Sequence, residues 1–125
     1  MTDWTSDELD RIDHAEELEL TSQRRDGSLR EPVTMWVVRD GDELFVRSIH
    51  GTAGGWFRGT QSLRQGHIRS GGVDRDVAFV VDSETLLNDR IDDAYRSKYR
   101  RYGDKMVGTV VNPGAREATI KLVPR

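Results

Sequence analysis

Two Asp-Gly pairs, Asp26-Gly27 and Asp40-Gly41, each lie between stretches of alternating apolar and polar residues. Asp-Gly in that setting is a strong short-range signal for a β-hairpin, because tight turns require positive φ at positions that Asp and Gly tolerate. The two turns check each other. A two-residue turn at Asp26-Gly27 sets Leu18 opposite Met35 and Leu20 opposite Val33. A two-residue turn at Asp40-Gly41 sets Met35 opposite Val46 and Val37 opposite Leu44. Both registers put Leu18, Leu20, Val33, Met35, Val37, Leu44 and Val46 on one face, and a slip of one residue would scatter them. The sequence therefore predicts a three-stranded antiparallel meander with Val33–Val38 as its middle strand. Pro32 removes a ladder donor and marks a bulge. The opposite face carries Thr34, Trp36, Val38, Phe45, Arg47 and Ile49 and is also largely apolar. A sheet apolar on both sides is covered on both, as in a barrel with a helix or a partner outside.

The flanking segments fill in an α+β pattern. Thr5-Ser6-Asp7-Glu8 has the form of a capping box and opens a short helix over about 6–16. Residues 50–60 read as a flexible glycine-rich stretch, with a short helix near 60–65. Strands follow at His67–Ser70 and Val73–Val81, broken by Gly71-Gly72, with Val77, Phe79 and Val81 on one side. Ser83 is expected to cap a long helix reaching about Tyr102, with Leu87, Ile91, Tyr95 and Tyr99 as its buried stripe. Met106–Val111 and Thr119–Val123 read as two closing strands, joined by a type II turn at Asn112-Pro113-Gly114. The expectation is a mainly β, small antiparallel barrel with helices at its ends or side, one domain over residues 1–125.

Charge is unevenly spread on a chain of net charge −3. Residues 1–20 set eight acids against Arg11, whereas 47–75 set five arginines against Asp74, and 96–105 set five basic residues against Asp104. Two basic segments on an acidic chain point to a local anion site or to pairing with the acidic N-terminal segment. The overall acidity argues against a nucleic-acid coat. No Cys is present, so disulfides and thiolate chemistry are absent. The longest apolar run, Val77–Val81, cannot span a bilayer, and no secretory pattern opens the chain. A cytoplasmic location without membrane contact is expected.

The chemical signals are few. His14, His50 and His67 have no metal-ligand spacing, so no metal site is expected. The glycines of 51–59 match neither a P-loop nor a dinucleotide fingerprint. Arg47 stands out, because a guanidinium inside a strand apolar on both faces is costly unless paired. Its partner is either a carboxylate of the first or last helix or a bound phosphate or carboxylate at the barrel rim. Gly54-Gly55-Trp56-Phe57-Arg58 could assist the second role. The glycines let backbone amides approach an anion, Trp56 stacks on a flat ring and Arg58 adds charge.

Val33–Val38, Val46-Arg47-Ser48, Gly55-Trp56-Phe57-Arg58, Ile68-Arg69-Ser70-Gly71-Gly72, Tyr95-Arg96-Ser97-Lys98-Tyr99 and Ile120-Lys121-Leu122-Val123-Pro124 resemble an uncharacterised family of small bacterial proteins. That family is similar to the flavin-binding split barrels, among them pyridoxamine-phosphate oxidase and the deazaflavin-dependent nitroreductases. The resemblance implies a Greek-key split β-barrel and a homodimer with the cofactor at its interface. It also implies binding of flavin mononucleotide (FMN) or a deazaflavin, with oxidoreductase activity. By position it assigns Arg47, Ser48 and Arg58 to the cofactor phosphate and Trp56 to the ring. The competing expectation is a non-enzymatic module that binds an anionic partner or nucleic acid through its Arg-rich segments.

Overall fold

A computed structural model describes residues 3–125. Seven antiparallel strands form one sheet: β1 (Leu18–Ser22), β2 (Val33–Met35), β3 (Val38–Asp40), β4 (Glu43–Arg47), β5 (Gln65–Ser70), β6 (Val73–Val81) and β7 (Thr119–Pro124). Their order is β2-β1-β5-β6-β7-β4-β3. The two edge strands are thus consecutive in the chain, separated only by Trp36 and Val37. Two residues span at most about 10 Å between the flanking strand ends. The sheet must therefore curl until its edges meet, which makes it a barrel.

The Val33–Val38 strand of the sequence reading is divided. Its first part pairs with β1 in the expected register, Leu18 opposite Met35 and Leu20 opposite Val33. Its second part pairs with β4, but Val38 lies opposite Phe45 and Arg39 opposite Leu44. That register differs by two residues from the expected one, because the turn is Gly41-Asp42, with Gly41 at φ 61°. Glycine as the first central residue with positive φ fits the type II′ turn. A shift of two preserves faces, so the assignment of sides survives. Leu18, Leu20, Val37, Leu44 and Val46 all enter the barrel core, with Met35 packed against it. The bulge at Pro32 is also present. Between the Leu20–Val33 pair and the Gln23–Leu29 bridge, three steps along β1 match four along its partner.

Helix α1 (Ser6–His14) begins with the Thr5–Glu8 capping box and buries Leu9 and Ile12 at the barrel end. Trp4 closes the same end, donating its indole N–H to the Leu122 carbonyl at 3.0 Å. Helix α3 (Thr85–Lys98) covers the outside of β3 and β4, where Leu87, Ile91, Tyr95 and Tyr99 pack on Val38 and Phe45. The two-sided burial read from the sequence is therefore a barrel core inside and a helix outside. The α3 cap is Glu84 rather than Ser83: its carboxylate accepts from the Leu86 and Leu87 amides.

Four local expectations are corrected. The glycine-rich stretch is ordered into a 3₁₀ turn over 51–53 and helix α2 (Gly55–Leu63). Met106–Val111 is not a strand; helix α4 (Asp104–Val107) and turns replace it. Asn112-Pro113-Gly114 opens helix α5 (Pro113–Glu117) instead of making a hairpin turn. The Asn112 side chain accepts from the Ala115 amide at 2.9 Å, and Pro113 takes the first helical position, where no amide is required. One strand, not two, therefore follows α3. Finally, Val81 is 39% exposed at its strand end, unlike Val77 and Phe79.

Candidate functional site

Strand alternation points Arg47 outward from β4, directly beside Thr119 of β7 and beneath α3. Its side chain is fully buried. Arg carries five N–H donors, and each contact found uses one of them. Nε donates to Thr119 Oγ1 at 2.9 Å. Nη1 donates to the Asp92 carboxylate and to the Val110 carbonyl at 2.9 Å. Nη2 donates to the carbonyl and Oδ1 of Asn88, at 3.1 and 2.8 Å. The guanidinium also lies over the Tyr95 ring, 5.6 Å from its centroid. The other Asp92 oxygen accepts from Arg116 at 2.8 Å. Arg47 is thus closed off by a helix carboxylate, the first of the two partners weighed from the sequence, and no donor is left to hold a cofactor phosphate.

Above this network is a cleft of about 420 Å³. Met35, Trp36, Ile49, Trp56 and Met106 give it apolar and aromatic walls, Glu17, His50 and Thr109 contribute polar groups, and Arg47 lies at its floor. Its lining draws on β2 and Trp36, on Trp56 of α2 and on Met106 of helix α4. Two of these apolar lining residues, Ile49 and Met106, are 54% and 50% exposed.

The four residues assigned from sequence do not converge. Arg47 and Trp56 line the same cleft. Ser48 is completely buried beside it, and its hydroxyl has no hydrogen-bond partner. A Cβ at Gly54 would lie 2.6 Å from that hydroxyl, so glycine at this position lets the α2 cap close over Ser48. Arg58 is exposed and lies outside the cleft wall. It is two residues beyond Trp56, which puts it on the other side of the helix.

Trp36, His50 and Met106 are cleft residues that the sequence reading left without a role. Trp36 stacks on Tyr99, with ring centroids 4.1 Å apart and planes 6° from parallel. Tyr102 is tilted against Trp36, with ring centroids 5.2 Å apart and planes at 39°. Met106 could not be found while its segment was read as a strand. The usable signal there was Gly103 and Gly108, which bracket a four-residue turn of helix.

Among the described residues, no helix is long and apolar enough to cross a membrane. Among the same described residues, no group of three or more His, Cys, Asp or Glu side chains could hold a metal ion.

A curled antiparallel sheet whose edge strands are one interrupted segment, with a helix across its outer face, is a split β-barrel. Residues 8–122 match the family described as an uncharacterized protein conserved in bacteria, DUF2255, and the chain belongs to it. No curated protein matches the sequence. Among solved structures, the chain is similar to a candidate pyridoxamine 5′-phosphate oxidase from Listeria innocua, at 14% identity and TM-score 0.67 over 94% of this chain and 90% of that one. It is similar to HutZ, a heme storage protein from Vibrio cholerae, at 12% identity and TM-score 0.62 over 93% and 86% of the two chains. It is also similar to an F420 reductase, at 15% identity and TM-score 0.53 over 93% and 90%. At these identities the likeness is one of fold.

Proposed function

We propose that the cleft between Trp36 and Trp56 binds the flat ring of FMN or a deazaflavin. The observation that carries this reading is a pocket of small-molecule size whose walls are aromatic and apolar, with few polar groups. Trp56 covers one face of the ring and Trp36 lines the other side, while Met35, Ile49 and Met106 exclude water. The phosphate lies at the mouth, near His50 and the free amides of the first α2 turn, whose glycine cap supplies no side-chain partner. Arg58 adds positive charge from the solvent side of the same helix. Arg47 and Ser48 act from below: Arg47 fixes the floor, and Ser48 packs under the Gly54 cap. Any oxidoreductase chemistry would come from the bound ring, with the protein supplying position and charge. A second copy of the chain covers exposed Ile49 and Met106, making a homodimer with the ligand near its interface.

Equilibrium dialysis with FMN tests the reading, with micromolar binding expected. Trp56→Ala should weaken it by about 1–3 kcal/mol, the range for removing one stacking aromatic. Absence of binding to both FMN and a deazaflavin overturns it. Sedimentation velocity reads the dimer directly.

His50 favours a second reading, because an imidazole in an apolar, aromatic pocket can ligate haem iron. Hemin titration separates the two: a Soret shift lost in His50→Ala, with no FMN binding, selects haem.

A further inference from the structure

The aromatic rings beside the cleft run from its wall to the protein surface. Trp36 lines the cleft. Tyr99 stacks on Trp36 at 4.1 Å, and Tyr102 lies 5.2 Å from it. Tyr95 is one ring further in, 6.1 Å from Tyr99. These are all three tyrosines of the chain.

Their hydroxyls differ in one respect that decides what each can do. A phenol that loses an electron becomes a strong acid, so it is readily oxidised only where its proton can leave. The Tyr95 hydroxyl is buried without a partner. The Tyr99 hydroxyl meets only backbone, the Glu16 carbonyl at 2.7 Å and the Val37 amide and carbonyl at 3.1 and 3.0 Å. A carbonyl oxygen cannot take up the proton. The Tyr102 hydroxyl donates to the side-chain carboxylate of Glu16, which can. Arg101 holds that carboxylate in place and lies over the Tyr102 ring, 4.9 Å from its centroid. A cation over the ring opposes build-up of positive charge there, so the electron and the proton must leave together.

We propose that Trp36, Tyr102 and Glu16 form a proton-coupled electron relay from the cleft to the surface. The proposal rests on the cleft holding a flavin-type ring, which acts as a one-electron oxidant when photoexcited. Trp36 gives one electron to the excited ring and is refilled by one electron from Tyr102. The Tyr102 phenolic proton moves to Glu16, leaving a neutral tyrosyl radical and a protonated carboxyl group. The relay carries oxidising equivalents away from the buried core to a residue that is 38% exposed, where an external reductant can quench them.

The test uses the full chain saturated with FMN, with occupancy read by equilibrium dialysis. Anaerobic samples are illuminated with blue light, frozen and examined by electron paramagnetic resonance. A tyrosyl signal is expected in the wild-type protein and in Tyr95→Phe. It should fall at least tenfold in Tyr102→Phe and in Glu16→Gln, with FMN occupancy unchanged in both. An undiminished signal in Tyr102→Phe or Glu16→Gln overturns the relay, as does full occupancy without any tyrosyl signal. If dialysis finds neither FMN nor a deazaflavin bound, the cleft reading fails and the relay, left without its oxidant, fails with it.

Discussion

The backbone amide of Val37 donates to the hydroxyl of Tyr99 across 3.1 Å, joining the break in the barrel strand to the end of α3. The Val37 carbonyl accepts from Lys98 Nζ at 2.8 Å. Val37 lies between β2 and β3, so neither ladder serves it, and it is completely buried. Two consecutive side chains, Lys98 at the end of α3 and Tyr99 at its cap, therefore satisfy the backbone groups that closing the barrel leaves without strand partners.

Tyr99→Phe should destabilise the protein by about 1–3 kcal/mol, the cost of leaving a buried donor unpaired. The ring that stacks on Trp36 is retained, so the loss isolates the hydroxyl. Urea unfolding should show a lower midpoint with an unchanged slope. An unchanged midpoint would mean that solvent serves Val37 instead.

Arg47→Met should cost about 3–5 kcal/mol, the penalty for breaking a buried ion pair by removing one partner. Asp92 would keep only Arg116, and Asn88, Thr119 and Val110 would each lose a donor. Arg47→Lys should recover little, because an ammonium cannot reproduce a five-donor planar fork. Urea midpoints of the two variants should lie close together and well below wild type.

The difference between what was and was not legible in the residues follows from range. The faces of Leu18, Leu20, Val37, Leu44 and Val46 follow from local alternation and two turns, so they could be read directly. The α3 stripe was legible for the same reason. The break at Trp36-Val37 was not, because Val33–Val38 is uniformly suited to a strand; barrel closure, a property of the whole sheet, divides it. Asn112-Pro113-Gly114 suits a turn and a helix start equally well, and packing decided. At the site, the need of Arg47 for an anion was legible, but not which anion. Asp92 comes from α3, 45 residues away. The cleft is made by Trp36, Trp56 and Met106, drawn from three separate segments, and no local pattern links them.

Gly66→Ala should destabilise the barrel by about 1–3 kcal/mol, as overpacking of a filled core does. Gly66 sits opposite Ser22 on β1 and Val77 on β6. A Cβ there would run into the Thr21 carbonyl and stand 3.0 Å from the Phe79 ring. The obstacle at Thr21 is backbone, which cannot rotate aside. Thermal melting should show a drop of several degrees, while Gly55→Ala, where a Cβ meets nothing, should melt like wild type.

Stability should respond to pH through Lys98, and in an unusual direction. Burial pulls its pKa from 10.5 down to about 8, against an opposing pull from Asp13. The folded state therefore binds this proton less tightly than the unfolded chain. Between about pH 8 and 10.5 the unfolded chain holds more protons at this site, so the contribution of Lys98 to stability rises with pH across that window. His67 works the other way at lower pH. Burial opposes its protonation, but hydrogen bonds to Asp76, at 2.8 Å, and Asp74 raise its pKa above 6.5. Its contribution is complete below pH 6.5 and is lost as pH climbs through the raised value. Across pH 7 to 10 the urea midpoint of wild type should rise relative to that of Lys98→Met, which lacks both the titrating group and the hydrogen bond to the Val37 carbonyl. Parallel curves across the range would show that Lys98 titrates alike in the folded and unfolded chains.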